Sequence, residues 1–241
     1  MTSTIPHVDA LALAAHRDDI EITCGGLLIK FADMGYTTGI VDFTAGEMGT
    51  RGTDKDRARE AAAAARIMGI AHRENLGMPD AKLQNTLENR LRVAEAIRRF
   101  KPRLVILPHR DQRHPDHRVA GEMAYDACYL AGLKKMDIPG EAHRPHKILY
   151  ASFFRKPPYS FVVDITDQLD RKIEAVRAYE SQFGAEDGQT SIYQPGVNIF
   201  DLIREDARRF GQMIRKTYGE GYFIKEMIEI DDPLKMSVNS I

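Results

Sequence analysis

The 241-residue sequence predicts an α/β fold of the doubly wound, Rossmann-like class, with a mostly parallel sheet and helices on both faces. Short apolar runs such as LALA and RLVIL alternate with longer helical patterns. Continuous apolar runs are typical of buried parallel strands, and this alternation is typical of βαβ units. Titratable side chains also follow directly after four predicted strands. Parallel sheets bind ligands at that edge, beyond the carboxyl ends of their strands.

The individual elements follow from local patterns. Strands are predicted at residues 8–14, 36–44, 73–78, 103–107, 147–153, 160–165 and 222–230. Helices are predicted at residues 20–34, 54–68, 118–134, 166–179 and 200–216, and a further helix ends at residue 100. Gly35 and Gly69 suit helix C-termini, and Asn85 with Glu88 resembles a capping box. Without a linker or repeat, residues 1–241 form a single predicted domain.

Composition excludes several classes of protein. The net charge of −1 argues against a nucleic-acid or membrane-surface partner. No apolar run reaches the roughly 18 residues of a membrane span, and the apolar N-terminal stretch lacks the basic start of a signal peptide. The two cysteines, Cys24 and Cys128, are too few for a disulfide framework. We therefore expect a cytoplasmic protein with two buried thiols.

The first chemical motif is HRDDIE, which follows the first predicted strand. His16 and Asp19 are spaced i, i+3, which places both on one side of a turn or helix start. An imidazole and a carboxylate on one side can bind Zn²⁺. Asp18 points elsewhere and is free to act on a group beside the metal. Taken alone, such a motif more often marks carboxylates that stabilise a helix N-terminus.

The second motif is HPDH, which follows RLVIL. His114 and His117 are again spaced i, i+3, and either could be the third ligand of a catalytic zinc, which keeps one position open. The other histidine could act as an acid or stabilise an oxyanion, with Asp116 to orient it, while Asp18 acts as general base. A solvated charged loop is the alternative for this motif alone. Together the two motifs predict metal-assisted hydrolysis of a carbonyl compound.

The chain resembles the PIG-L/LmbE-type zinc deacetylases, whose signatures are AHPDDE after the first strand and HPDH after a later one. The matching stretches are AHRDDIE, CGG, TAGEMGTRGT, RENLGMPD, RHPDH, YLAGLKKM, YESQF and YGEGY. They cover nearly the whole chain. GTRG and LAGLKK are more similar to the bacillithiol branch, the N-acetylglucosaminyl-malate deacetylases, than to the wider family.

The resemblance implies a role for each motif residue. The implied ligands of one Zn²⁺ per chain are His16, Asp19 and His117, and Fe²⁺ can occupy such a site as well. The implied catalytic residues are Asp18 as general base, His114 as stabiliser of the charged intermediate, and Asp116 as partner of His114. The choice between His114 and His117 as third ligand, which spacing leaves open, is thus made by the resemblance.

The resemblance also implies substrate contacts. Arg51 matches a substrate-binding arginine, and a guanidinium suits the two carboxylates of malate. Glu47 and Asp80 are candidates for substrate hydroxyls, and Tyr193 lies in a predicted long loop at residues 184–196 that could cover the site. Arg17 replaces the family's proline, so it could bind an anionic group or lower the pKa of Asp18. The basic residues near the second motif, which also suit an acidic substrate, are His109, Arg110 and Arg113.

The implied enzyme is a zinc-dependent amidohydrolase that removes acetate from an N-acetylglucosaminide, foremost N-acetylglucosaminyl malate in bacillithiol biosynthesis. One alternative is deacetylation of a chitooligosaccharide or of a secondary-metabolite sugar. Another is a non-catalytic sugar- or metal-binding protein, in which Arg17 is a sign of decay. The expected partner is a small acidic amino-sugar conjugate. Because members of the family form trimers or hexamers, we also expect a homo-oligomer.

Overall fold

The computed structural model describes residues 7–154, 156–184 and 198–238. Its centre is a five-stranded parallel sheet with the strand order β3-β2-β1-β4-β5. The strands are β1 (Ala10–Ala14), β2 (Thr38–Thr44), β3 (His72–Met78), β4 (Leu104–Pro108) and β5 (Lys147–Ala151). A separate antiparallel pair is formed by β6 (Phe161–Asp164) and β7 (Gly219–Tyr222).

Seven helices surround these strands within the described ranges. They are α1 (Asp19–Asp33), α2 (Asp54–Met68), α3 (Leu87–Phe100), α4 (Pro115–Ala131), α5 (Leu169–Arg177), α6 (Glu180–Phe183) and α7 (Ile199–Met213). One core cluster joins the sheet to α1, α2, α5, α6 and α7, and a second joins its other face to α3 and α4. The predicted α/β fold with helices on both faces is confirmed.

The chain reverses its direction across the sheet at β1. Ala12 lies opposite Ile40 of β2 on one side and opposite Ile106 of β4 on the other. From β1 the chain builds outward to β2 and β3, and then returns to add β4 and β5. Such a reversal leaves a crevice at the carboxyl ends of the two central strands, where doubly wound folds bind their ligands.

Local sequence signals account for several helix limits. Thr53 and Asp56 form a capping box at the start of α2, and Gly69 ends that helix with φ of 75°. Pro115 occupies the first turn of α4, three residues earlier than the predicted start, because the preceding residue caps the helix. The predicted cap of α3 was displaced by one residue: Thr86, not Asn85, accepts the N–H of Asn89.

The last predicted strand and the predicted helix at residues 166–179 also differ from the structure. The predicted strand at residues 222–230 is wrong, because β7 ends at Tyr222. Phe223 forms an isolated bridge with Tyr150, and within the described residues the segment after it forms no strand. In place of the predicted helix at residues 166–179, the structure has the shorter helix α5, which α6 follows. The predicted loop at residues 184–196 lies outside the described residues apart from Gly184.

Helix α1 is interrupted at Cys24, where φ is −142°. The carboxylate of Glu220, in β7, accepts the N–H groups of Gly26 and Leu27 at 2.9 and 2.8 Å, and Lys172 donates to it at 2.6 Å. This buried carboxylate therefore caps the second half of the helix. Gly26 is needed there because a Cβ would lie 2.7 Å from Oε1 of Glu220.

The end of β4 and the helix that follows it are in close contact. A Cβ on Gly121 of α4 would overlap the carbonyl oxygen of Pro108, the last residue of β4. The backbones of the two elements therefore touch one helical turn after His117. This contact therefore holds the first part of α4 close to the end of β4.

Both cysteines are buried and unpaired, as predicted. Burial raises the pKa of Cys128 to about 12, and it raises the pKa of Cys24 further. Neither thiol is therefore poised to react as a thiolate. Among the described residues, no helix combines the length and the apolar character that crossing a membrane would require.

Candidate metal centre and active site

The loops that follow all five parallel strands line one cleft of about 560 Å³. The lining residues that follow the strands include His16 after β1, Arg51 after β2, Asp80 after β3, His114 after β4 and Phe154 after β5. The convergence predicted for the first four strands is confirmed. The loop after β5 was missed because it carries no titratable side chain before Phe154.

Three predicted ligands meet at the β1–β4 crevice. Nδ1 of His16 lies 3.2 Å from Nε2 of His117 and 3.4 Å from Oδ2 of Asp19. Nε2 of His117 lies 3.0 Å from Oδ1 of Asp19. Ligand atoms about 2.1 Å from a tetrahedral zinc are separated by about 3.4 Å. These side chains could therefore hold an ion, and a ring nitrogen of His114 also lies within 4.8 Å of ring nitrogens of His16 and His117.

The electrostatics of the three residues fit a cation as well. Burial opposes charge on His16, but the carboxylates of Asp19, Asp116 and Asp80 raise its pKa well above the ordinary value. Burial also opposes charge on Asp19, but His117 and His16 hold its pKa well below the ordinary range. Positive charge is thus favoured between these groups. Imidazole and carboxylate donors suit zinc and iron alike.

Two carboxylates face the other nitrogen of His16. Oδ1 of Asp80 lies 3.0 Å from Nε2, and Oδ2 of Asp116 lies 3.6 Å from it. Metal-binding histidines commonly donate their second N–H to a carboxylate, which fixes the ring orientation. Asp80 also accepts the N–H of Met48 at 2.9 Å and that of Ala81 at 2.7 Å. Both carboxylate oxygens of Asp80, which was predicted to hold a substrate hydroxyl, therefore accept hydrogen bonds from the protein itself.

The imidazole of His114 caps α4. Its Nδ1 accepts the backbone N–H of Asp116 at 3.2 Å, while the Asp116 carboxylate accepts the N–H of Ala81 at 2.8 Å. The structure therefore differs from the predicted pairing of the Asp116 carboxylate with the His114 ring. Burial opposes ionisation of Asp116, but hydrogen bonds from His16 and Ala81 lower its pKa.

Asp18 occupies the N-cap position of α1 without making a side-chain cap. Its Oδ2 instead lies 3.4 Å from Nη2 of Arg57, and Nη1 of Arg57 donates to the Gly46 carbonyl at 2.7 Å. Both Asp18 and Arg57 line the cleft. The carboxylate is therefore available beside the three predicted ligands. The sequence carries no signal for Arg57, which resembles the solvated charges around it in DKDRARE.

Comparison with known proteins identifies the family. Residues 11–128 match PIG-L, described as GlcNAc-PI de-N-acetylase. The diacetylchitobiose deacetylase of Thermococcus kodakarensis is 30% identical over 226 residues, which cover 88% of this chain and 80% of that protein. The chain belongs to the PIG-L family.

A solved structure supports the PIG-L fold. The conserved protein TT1542 from Thermus thermophilus is 36% identical and superposes with a TM-score of 0.85, covering 93% of this chain and 98% of that one. A relative with a different printed activity is the 4-oxalmesaconate hydratase of Pseudomonas putida. It is 30% identical over 197 residues, which cover 73% of this chain and 75% of that protein.

The remaining predicted substrate residues of this PIG-L protein have separate placements. Arg51 lines the cleft, and its carbonyl accepts Nε2 of Gln182 at 2.8 Å. Glu47 accepts the N–H of Asp80 at 2.8 Å and is not among the residues that line the cleft. Tyr193 lies outside the described residues. Of these three predicted contacts, the structure places Arg51 in the cleft.

Two basic residues predicted near the substrate do not line the cleft. The guanidinium of Arg17 contacts Oδ1 of Asp54 at 2.6 Å, outside the cleft of this PIG-L protein. The placement does not support the predicted contact of Arg17 with substrate. His109 is buried against Tyr150 and Phe223, with ring centroids 6.1 and 5.4 Å apart, and burial lowers its pKa. This placement does not support the predicted contribution of His109 to a basic rim.

Proposed function

We propose that this protein is a metal-dependent N-deacetylase that releases acetate from an N-acetylated amino sugar. The observation that carries the proposal is the spacing of His16, Asp19 and His117, with the Asp18 carboxylate beside them. One Zn²⁺ per chain, or Fe²⁺, fits this donor set. When bound, such an ion supplies Lewis-acid activation of a water nucleophile and of the acetamide carbonyl.

The protein's own groups account for the proton transfers. Asp18 accepts a proton from the attacking water as the new C–O bond forms, while Arg57 orients the carboxylate. His114 donates a hydrogen bond to the carbonyl oxygen as it becomes negatively charged. The C–N bond then breaks, and Asp18 returns the proton to the leaving amine. The products are acetate and the free amino sugar.

The proposed substrate is an acidic amino-sugar conjugate, foremost N-acetylglucosaminyl malate of bacillithiol biosynthesis. Arg51 and Arg113 both line the cleft, and the Arg113 guanidinium lies 4.6 Å from the ring centroid of Phe154. Stacking on a ring restricts a guanidinium while leaving its N–H edge free to bind a carboxylate. The acidic lining residues in the described part of the cleft are Asp18, Asp19 and Asp80, all at the metal end.

A second candidate substrate is a neutral chitooligosaccharide. It is favoured by the 30% identity to diacetylchitobiose deacetylase. The two candidates differ in charge beyond the acetamido sugar, so the two arginines are expected to discriminate between them. Because another relative is a hydratase, the assay must detect acetate itself.

The test measures acetate release by the metal-loaded protein from N-acetylglucosaminyl malate, N,N'-diacetylchitobiose and N-acetylglucosamine. We expect kcat/KM to be at least tenfold higher for the malate conjugate, and Arg113→Met to reduce that preference. The matched control is Arg103→Met, which lies before β4 at the opposite edge of the sheet. Equal kcat/KM for the conjugate and the disaccharide would reject the acidic substrate. No acetate from any of the three would reject the deacetylase.

A further inference from the structure

Arg17 is buried beside the two aspartates of the first motif and turns toward helix α2. Only 9% of the residue is exposed. Its Nη1 donates to the Asp54 carboxylate at 2.6 Å and to the Asp54 carbonyl at 3.0 Å. Asp54 is the first residue of α2. The side chain of Arg17 therefore joins the turn after β1 to the N-terminus of another helix.

The peptide that follows Arg17 is held by two further side chains. Its carbonyl accepts hydrogen bonds from the guanidinium of Arg73 and from the hydroxyl of Tyr179. Arg73 is fixed in turn by Glu21 at 2.6 Å and by Asp42 at 2.8 Å. This carbonyl belongs to the peptide linking residues 17 and 18, so these contacts orient the backbone that carries the next side chain.

The first turn of α2 also contacts that next side chain. Arg57 is three residues after Asp54, so the two lie on neighbouring positions of one helical turn. The Nη2 atom of Arg57 lies 3.4 Å from Oδ2 of Asp18. One helical turn therefore carries both the partner of Arg17 and the partner of Asp18. A change in the separation of Arg17 and Asp54 would shift Arg57 relative to the Asp18 carboxylate.

From this arrangement we propose that Arg17 is a positioning residue, which holds Asp18 against the first turn of α2 in the orientation that proton transfer needs. The inference rests on the proposed function, in which Asp18 is the base. The Arg17 side chain does not line the cleft, and it acts through the neighbouring residue Asp18. Its effect is therefore expected in kcat, since misplacement of a base slows the chemical step without weakening substrate binding.

The test compares Arg17→Met, Asp54→Asn and the double variant. Methionine keeps an unbranched apolar stem, and the Asp54 side chain left behind is 61% exposed, so no buried charge loses its partner. We expect Arg17→Met to lower kcat at least tenfold, with KM changed less than twofold and metal content unchanged. The kcat of Asp54→Asn should fall by only about threefold, because the backbone carbonyl of residue 54 still accepts a hydrogen bond from Arg17. The kcat of the double variant should be no lower than that of Arg17→Met, since the two substitutions remove the same contact.

Two further variants separate positioning from general stability. Arg17→Lys keeps a cation near Asp54 and should recover part of the lost kcat. Arg103→Met removes a partly exposed ion pair with Asp9 at the far edge of the sheet and should leave kcat unchanged. A double-mutant cycle of thermal unfolding, measured without metal, should show coupling between residues 17 and 54 whatever the activity.

The outcomes are distinguishable. If the wild type releases acetate and Arg17→Met has an unchanged kcat, this inference is overturned and the proposed function stands. A raised KM at constant kcat, or loss of metal, would also overturn it, because Arg17 would then act on binding or on the ligands. No acetate release by the wild type would reject the proposed function and the inference with it.

Discussion

Nδ1 of His114 accepts the backbone N–H of Asp116 at 3.2 Å. A backbone amide can only donate, so this nitrogen carries no proton and neutral His114 holds its proton on Nε2. Burial, together with the nearby His16 and His117, lowers the pKa of His114 and favours the neutral ring. The helix cap therefore selects the tautomer that offers an N–H donor from Nε2, without a carboxylate partner.

This tautomer predicts different outcomes for two substitutions. His114→Asn places an amide oxygen where Nδ1 lies and keeps the helix cap, but it removes the Nε2 donor. We expect a free energy of unfolding within about 0.5 kcal/mol of the wild type and a kcat lowered by about 100-fold or more. His114→Ala should lose the cap as well, at about 1 kcal/mol. Urea unfolding and acetate release measure both, and a tenth or more of wild-type kcat in His114→Asn would contradict the donor role.

The charge at the predicted ligands sets a pH dependence for metal binding. Burial opposes charge on His16, but the neighbouring carboxylates raise its pKa well above the ordinary value, so a proton competes with an ion for the ring. An ion must displace that proton, so metal affinity should rise with pH, by about tenfold per unit. Competition with a chelator between pH 6 and pH 8 measures the affinity. A constant affinity over this range would contradict the competition between a proton and the ion at His16.

Asp80 can be tested as a partner of His16 against its predicted role as a substrate contact. Asp80→Asn removes the negative charge beside Nε2 of His16, 3.0 Å away. We expect metal affinity to fall about 10- to 100-fold, with KM unchanged once the metal is saturating. Chelator competition and steady-state kinetics distinguish the roles. A raised KM with normal metal affinity would favour the substrate contact.

Glu21 predicts a pH dependence of stability away from the metal site. Burial raises its pKa to about 7, although Arg73 opposes the shift. Between pH 4.5 and 7 the folded state holds a proton that the unfolded state lacks, so the stability of the folded state falls as pH rises. The difference in free energy of unfolding between Glu21→Gln and the wild type should therefore increase by roughly 1 kcal/mol per pH unit. Urea unfolding at pH 5, 6, 7 and 8 measures it, and parallel profiles would contradict it.

Features that depend on short stretches of sequence were predicted well. The apolar run of β4 and the alternation with helices predicted the parallel sheet, and Gly69 predicted the end of α2. Polar groups after strands predicted the convergence of His16 with His117, because parallel strands end at the same edge. The roles of these residues, the trimer or hexamer, and the cytoplasmic location stay predictions.

Features that depend on long-range packing were not predictable. Arg17 was expected near the substrate because it lies within the first motif. Its observed direction depends on the position of the start of α2, 37 residues later. Arg57 was missed because a buried arginine and a solvated one look alike in a charged helix. The last strand was misplaced because residues 222–230 have strand-like composition, whereas pairing with β6 ends at Tyr222.

The contact at Gly121 has a consequence for the ligand spacing. A methyl group at residue 121 would push α4 away from the Pro108 carbonyl. His117 lies one turn earlier on the same helix and would move with it, which would widen its 3.2 Å separation from His16. The separation of two predicted ligands therefore depends on a hydrogen atom in the position of a side chain, at residue 121, one helical turn beyond His117 on this helix.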